Sequence, residues 1–388
     1  MNPQRSQRLR QLPPYLFAEV DRMKRAALAR GVDLINLGVG DPDRPTPREI
    51  VEALKVAAAK PEHHQYPSYV GMLSFRQAVA RWYLERFGVE LDAEREVLSL
   101  IGSKEGIGHI TLAFVNPGDV VLCPDPGYPV YPAATIFAGG APVSMPLRAE
   151  RGFLPDFDAI APADARRATM MYLNYPNNPT AACADAAFFR RAIDFARRHS
   201  IIICHDAAYS EIFYDEQPPL SFLQIEGARE VGVEFHSLSK TFNMTGWRIG
   251  FALGHAEVLA GLGAVKTNLD SGIFQAVQEA GIAALHANAR LAPRVRAIYQ
   301  GRRDLFVAGL KKLGYEVNLP MATFYVWVKT PAGCGSTAFT ARLLQEAGIV
   351  TTPGVGLGQA GEGYIRMTLT VEEPRLEEAL ERLRKVQV

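Results

Sequence analysis

The chain has 388 residues, 42 Lys+Arg against 41 Asp+Glu for a formal net charge of +1, and 48% hydrophobic residues. At roughly 150 residues per domain, that length predicts two or three domains and a large core, excluding a small disulfide-stapled scaffold. Near-neutral charge gives no long-range attraction to nucleic acid or anionic lipid, Cys123, Cys183, Cys204 and Cys334 form no Cys-x-x-Cys pair, and no run of about 18 apolar residues occurs. The expectation is a cytoplasmic enzyme or binding protein with reduced thiols that engages neither nucleic acid nor membrane.

Met1 to Gln11 is polar, with Arg5, Arg8 and Arg10, and no apolar run of signal-peptide length follows it. Beyond Glu49, short apolar runs alternate with helical patterns: Val97 to Ile101, Val120 to Cys123, Thr169 to Leu173, Ile201 to Cys204, Val233 to His236 and Ile249 to Leu253. Such runs separated by helices predict a mostly parallel sheet buried on both faces. From Ser271 to Leu313 the pattern turns helical, interrupted at Pro293. Thr323 to Val328, Gly348 to Thr351 and Tyr364 to Thr368 read as strands, with helices near Thr337 to Glu346 and Glu372 to Val386. The predicted fold class is α/β: a large, mostly parallel-sheet domain with helices on both faces at residues 47–285, plus a smaller α+β domain built from both chain ends. Residues 1–46 supply an N-terminal arm and part of that small domain, and residues 286–388 the rest.

Ligands of open α/β sheets sit outside the carboxyl ends of the strands, so the residues just after each run are the candidates. Gly102-Ser103-Lys104-Glu105-Gly106 joins a strand to a helix start, where free N–H groups and the helix dipole suit a phosphate; a simple N-cap at Ser103 is the alternative. In Asp125-Pro126-Gly127-Tyr128-Pro129-Val130-Tyr131 an aromatic ring could stack on a flat ligand, though the stretch also reads as a turn. Tyr175-Pro176-Asn177-Asn178-Pro179-Thr180 is likewise a turn by composition, one that would present the Asn178 amide. Asp206 ends its run three residues before Tyr209; a carboxylate there could keep a pyridine nitrogen protonated, or simply cap a helix.

The densest stretch runs from His236 to Arg248, between two apolar strands. A neutral Lys240 amine there could form a Schiff base with an aldehyde, beside the phosphate-binding groups Ser237, Ser239 and Arg248. Arg366 lies inside an apolar strand, where a guanidinium needs a carboxylate, from a ligand or from an internal acid. Gly356-Leu357-Gly358-Gln359-Ala360-Gly361 matches G-x-G-x-x-G but precedes a strand, so it fails as a dinucleotide fingerprint. No Walker A or His-Glu-x-x-His spacing occurs, and no metal site is expected.

Taken in order, Asn178, Asp206, Tyr209, Ser237, Lys240, Arg248 and Arg366 resemble the class I/II aminotransferases, pyridoxal-phosphate enzymes of fold-type I, over nearly the whole length. The resemblance implies pyridoxal 5'-phosphate as cofactor, with Lys240 forming the Schiff base and shuttling the proton, Asp206 pairing with the pyridinium nitrogen, and Tyr209 and Asn178 bonding the ring oxygen. Tyr128 would stack on the ring, while Ser103, Lys104 (through its backbone N–H), Ser237 and Arg248 would hold the phosphate. Arg366 would grip the substrate α-carboxylate near the backbone of Gly40. Tyr66, in Tyr66-Pro67-Ser68-Tyr69-Val70-Gly71, matches a tyrosine that in this family reaches the phosphate of the partner subunit, which implies a homodimer with shared sites.

Within the family, Leu12 to Phe17, Gly102 to Gly106 and Lys266 to Gly272 look most like the subgroup acting on LL-diaminopimelate and 2-oxoglutarate in lysine biosynthesis. By that resemblance Tyr15 and Asn268 meet the distal end of the substrate in the neighbouring subunit's site, where Lys104 could add a cation. Ala207, Ala181 and Leu357 depart from the common family pattern without removing a reacting group. The alternatives are an aspartate, alanine or aromatic aminotransferase and a carbon-sulfur β-lyase on the same fold. A regulatory sensor on this body would carry an additional DNA-binding domain, for which about 45 residues ahead of the large domain leave no room.

Overall fold

A computed structural model describes residues 3–12, 17–29 and 31–386. In chain order the strands are β1 (Ile35–Asn36), β2 (Val97–Leu100), β3 (Val120–Asp125), β4 (Ala141–Pro146), β5 (Ala168–Asn174) and β6 (Ile202–Asp206). They continue as β7 (Gly232–Ser237), β8 (Gly250–Gly254), β9 (Tyr325–Lys329), β10 (Ile349–Val350), β11 (Thr352–Pro353) and β12 (Tyr364–Thr368). The main sheet has seven strands in the order β2-β8-β7-β6-β5-β3-β4; β8 runs antiparallel to both neighbours and the other pairs are parallel.

Side chains alternate between two cores. Val120, Leu122, Met171 and Leu173 point into one, with Phe75, Trp82 and Phe189 of helices Leu73–Phe87 and Ala186–His199. Val121, Cys123, Met170 and Tyr172 point into the other, with Ile107, Ile110, Leu259 and Leu262 of helices Ser103–Phe114 and Ala256–Leu269. Burial on both faces explains the continuous apolar runs of the central strands. β4 escaped the sequence reading because it is an edge strand: Pro142 and Pro146 interrupt it, and only Met145 is buried.

A third core joins the two chain ends. β1 pairs in parallel with β10, and β11, β12 and β9 form an antiparallel sheet. Ile35, Leu37, Val326, Phe339, Ile365 and Leu376 pack together there. The expected break at Pro293 is not found: helix Asn288–Lys312 runs through that proline, and the interruption falls at Ala287, after helix Gln275–His286. Pro293 lies near the helix start and removes a single ladder bond. Among the described residues no helix is long and apolar enough to cross a membrane.

Candidate active site

The carboxyl ends of β5, β6 and β7 open into a cleft of about 1120 Å³. The parallel register sets Asn174 beside Asp206, and the side chains of both line the cleft. Gly40, Ser103, Lys104, Tyr128, Asn178, Tyr209, Ser237, Lys240, Arg248 and Arg366 line it as well. The structure therefore gathers most of the candidates into one place. Tyr66 and Asn268 do not line it: Tyr66 is 88% exposed, and Asn268 is exposed with its Nδ2 donating to the Ala264 carbonyl of its own helix. Tyr15 lies outside the described residues.

At one end the groups suit an anion. Ser103 opens a helix of 12 residues, and Gly102 before it has φ +73. A Cβ at Gly102 would fall 2.4 Å from Arg248 Nη2, so only glycine lets the guanidinium lie against the helix start. Ser239 Oγ is buried with no hydrogen-bond partner among the described residues. Glu105 steadies the same helix end: its Oε2 accepts from Ile101 N at 3.0 Å and from Lys266 Nζ at 3.0 Å. Glu105, His109 and Asp270 bring ligand atoms within 4.8 Å of one another, but Lys266, fully buried, also donates to Asp270 at 3.0 Å. That cluster is an internal ion-pair network.

At the middle sits Asp206, which caps no helix. Its Oδ2 accepts from the Tyr131 hydroxyl at 2.9 Å and its Oδ1 from Ala208 N at 3.2 Å. Burial pushes the Asp206 carboxyl above its ordinary range, opposed by those two bonds. A buried carboxyl so placed is stabilised as an anion by a cationic N–H beside it. Burial, followed by the neighbouring Tyr325, raises the Tyr209 hydroxyl well above the usual tyrosine range, so it carries its proton at neutral pH. Lys240 Nζ donates to the Gly40 carbonyl at 3.2 Å.

Arg366 closes the far side. Its Nη1 donates to Asn178 Oδ1 at 2.8 Å and its Nη2 to the Gly38 carbonyl at 2.8 Å. Its Nε has no partner, and no carboxylate pairs with it among the described residues, although it is only 6% exposed. The internal-acid reading fails, because a buried guanidinium bonded only to neutral oxygens retains an unmet demand for an anion. Asn178 is oriented in turn by Asn174, whose Oδ1 accepts from Asn178 N at 2.8 Å while its Nδ2 donates to the Asp206 carbonyl at 2.7 Å.

Three residues with evident contacts here were not singled out from sequence. Tyr131 lies three positions after Tyr128, a spacing that could have flagged it as a partner for Asp206. Asn174 is the last residue of a strand, the position the strand-end rule already favoured. Tyr325 reads as strand core, and no local signal marks it.

The family model described as aminotransferase class I and II matches residues 32–383. The LL-diaminopimelate aminotransferase of Syntrophobacter fumaroxidans is 59% identical over 383 residues, covering 98% of each chain. That of Aquifex aeolicus is 54% identical, covering 99% of each. Among solved structures, a double mutant of Thermus thermophilus aspartate aminotransferase superposes with a TM-score of 0.93 at 30% identity, covering 99% of this chain and 100% of that one.

Proposed function

The chain belongs to the class I and II aminotransferases, and we propose that it uses pyridoxal 5'-phosphate to move an amino group from LL-diaminopimelate to 2-oxoglutarate, giving tetrahydrodipicolinate and glutamate in lysine biosynthesis. The observation that carries this reading is Arg366, a buried guanidinium with a free Nε and no carboxylate partner among the described residues, in the same cleft as the Lys240 amine. An α-amino acid brings a carboxylate for the first and a reacting nitrogen for the second.

The residues present fit the cofactor. Ser239 Oγ is a buried hydroxyl without a partner among the described residues, and Gly102 leaves a cradle that a Cβ would fill. When bound, the cofactor supplies an aldehyde and an electron-withdrawing pyridine ring. Ser103, the Lys104 backbone N–H, Ser237 and Arg248 hold its phosphate, and Tyr128 covers the ring face. Asp206 holds the proton on the ring nitrogen, and Tyr209 and Asn178 donate to the ring oxygen. Lys240 would present its amine to the cofactor aldehyde and would take up the proton released from the substrate Cα.

LL-diaminopimelate is favoured by the relatives of that name at 59% and 54% identity over almost the entire chain. Its distal end carries an ammonium and a carboxylate, for which Tyr15, Lys104 and Asn268 supply hydroxyl, cation and amide, the first and last of them across a homodimer interface. Tyr66 reaches the phosphate of the neighbouring site in that dimer, which works in the cytoplasm. The test is steady-state comparison of amino donors with 2-oxoglutarate. LL-diaminopimelate is expected to exceed aspartate, alanine and phenylalanine in kcat/KM by roughly 10²-fold or more, since a site built for polar groups rejects substrates that leave those groups unpaired. A higher value for aspartate or alanine overturns the substrate and leaves the aminotransferase; turnover of cystathionine to a thiol marks the lyase instead.

A further inference from the structure

Tyr325, in β9, is 3% exposed and touches three groups of the site at once. Its hydroxyl lies 3.1 Å from that of Tyr209. The Arg366 guanidinium sits over its ring, Cζ 4.3 Å from the centroid. It also fills the space beside Gly40, where a Cβ would fall 2.1 Å from the Tyr325 hydroxyl oxygen. Gly40 in turn accepts from Lys240.

Two hydroxyls at this separation share one hydrogen bond, and the surroundings decide its direction. Among the described residues Tyr209 is the only hydrogen-bond partner of the Tyr325 hydroxyl. With a ligand oxygen in the cleft accepting from Tyr209, the Tyr209 oxygen is left to accept from Tyr325, the arrangement that gives both hydroxyl protons an acceptor. The cation over the Tyr325 ring draws electron density from it and makes its hydroxyl a stronger donor. A hydroxyl that accepts such a bond becomes a stronger donor itself.

We propose that Tyr325 is a positioning residue for the transamination: its hydroxyl directs the Tyr209 proton onto the ring oxygen of the cofactor, and its ring holds the Arg366 guanidinium in place for the substrate carboxylate. The inference rests on the cleft being a pyridoxal-phosphate site. The charged groups facing the Tyr209 and Tyr325 pair are Arg366 from β12 and Asp206 from β6, with Lys240 Nζ 5.7 Å from the ring of the adjacent Phe324. All three stay in place when only the Tyr325 hydroxyl is removed.

The test is the pH titration of the visible absorbance of the cofactor-loaded enzyme. In Tyr325→Phe the ring oxygen receives a weaker donor and becomes more basic, so the proton it shares with the Lys240 nitrogen is lost at higher pH. The midpoint is expected to rise by about half a unit, kcat to fall several-fold, and KM for the amino donor to stay within about twofold because the ring remains. Tyr325→Leu also removes the ring and is expected to raise KM by about tenfold. A purely packing role would lower thermal stability in both variants without moving the midpoint, and that result overturns the proposal.

A double-mutant cycle tests the route through Tyr209: in a Tyr209→Phe background, Tyr325→Phe is expected to move the midpoint no further. An undiminished second shift overturns it. A wild-type chain whose absorbance with cofactor shows no titrating visible band overturns the cofactor reading as well, whereas a wild-type band matched by an identical Tyr325→Phe titration overturns the positioning role alone.

Discussion

Lys240 and Arg366 each donate to a backbone carbonyl of one segment, Gly40 and Gly38, and Arg366 otherwise only to the neutral side chains of Asn178 and Thr352. A cation bonded to a carbonyl keeps its reach for an incoming ligand, whereas one bonded to a carboxylate is already neutralised. The proposed chemistry then makes a sharp demand on Lys240, because one amine both takes the aldehyde and carries the Cα proton. Lys240→Ala is expected to retain cofactor or its substrate adduct and to lose about 10³-fold or more in kcat. Lys240→Arg is not expected to restore it, since guanidinium stays protonated at working pH. Single-turnover and steady-state rates on the purified variants decide this: activity within tenfold of wild type removes Lys240 from the mechanism. Ala181 shows how a sequence oddity acquires a cause at this scale. The resemblance marks it only as a departure from the common family pattern, and the structure gives it φ +61, the left-handed region where glycine carries no Cβ penalty.

Residues 38–46 form a strap whose first three residues line the cleft, and it is tied down at several points. Gly38 O accepts from Arg366 and Thr352, Val39 O from Thr370, and Gly40 O from Lys240, while the Thr46 hydroxyl donates to Asn243 O. The firmest tie is Asp43, held bidentate by Arg302 at 2.8 Å to each oxygen, with Arg302 only 1% exposed. Asp43→Ala would leave a buried guanidinium without its anion, and a loss of about 3 kcal/mol is expected in urea unfolding. KM should rise with it, because the strap carries the carbonyls that set Lys240 and Arg366. Burial pushes the Asp43 carboxyl up, but Arg302 outweighs it and the net shift is downward. A carboxyl lowered in the folded state stabilises above its ordinary pKa and loses that contribution as pH falls, so the wild-type advantage over Asp43→Ala should narrow below about pH 4. An equal gap at pH 7 and pH 3 would show that the tie is not ionic. The tie between Asp43 and Arg302 was not legible beforehand, because only the tertiary fold pairs the two residues. What the chain does announce locally are elements with strong patterns: β3, β5, β6 and β7 are doubly buried and read as unbroken apolar runs, while edge strand β4, with its prolines and half-exposed residues, does not.

At the scale of the whole molecule, most of the candidates the fold gathers are placed after strand ends, which a parallel sheet brings to one edge whatever their distance in sequence, whereas Arg366 comes from within β12. Tyr131 and Tyr325 escaped because their roles lie in side-chain directions across elements that no local pattern encodes. Tyr66 and Asn268 stand apart, as residues that complete a second copy's site would in the proposed homodimer. Tyr66 is 88% exposed, and Tyr69, Val70, Leu73, Leu269 and Phe274 are exposed large apolar residues of the same two segments. Those segments lie side by side, with Gln275 Nε2 donating to the Gln65 carbonyl at 3.2 Å and Gly272 close against Ser68. Exposed apolar side chains gathered in this way mark an interface, which supports the proposed homodimer. The arrangement has an arithmetic consequence if Lys240 comes from one subunit and Tyr66 from the other. Mixing equal amounts of Tyr66→Ala and Lys240→Ala proteins and allowing the subunits to reassort makes half of the dimers mixed. Each mixed dimer has one site carrying both lesions and one carrying neither. Activity is therefore expected to recover to about a quarter of wild type, assayed at a cofactor concentration where each parent alone is nearly inactive. Mass spectrometry of the mixture shows whether exchange has occurred, and exchange without recovery would place Tyr66 outside the neighbouring site.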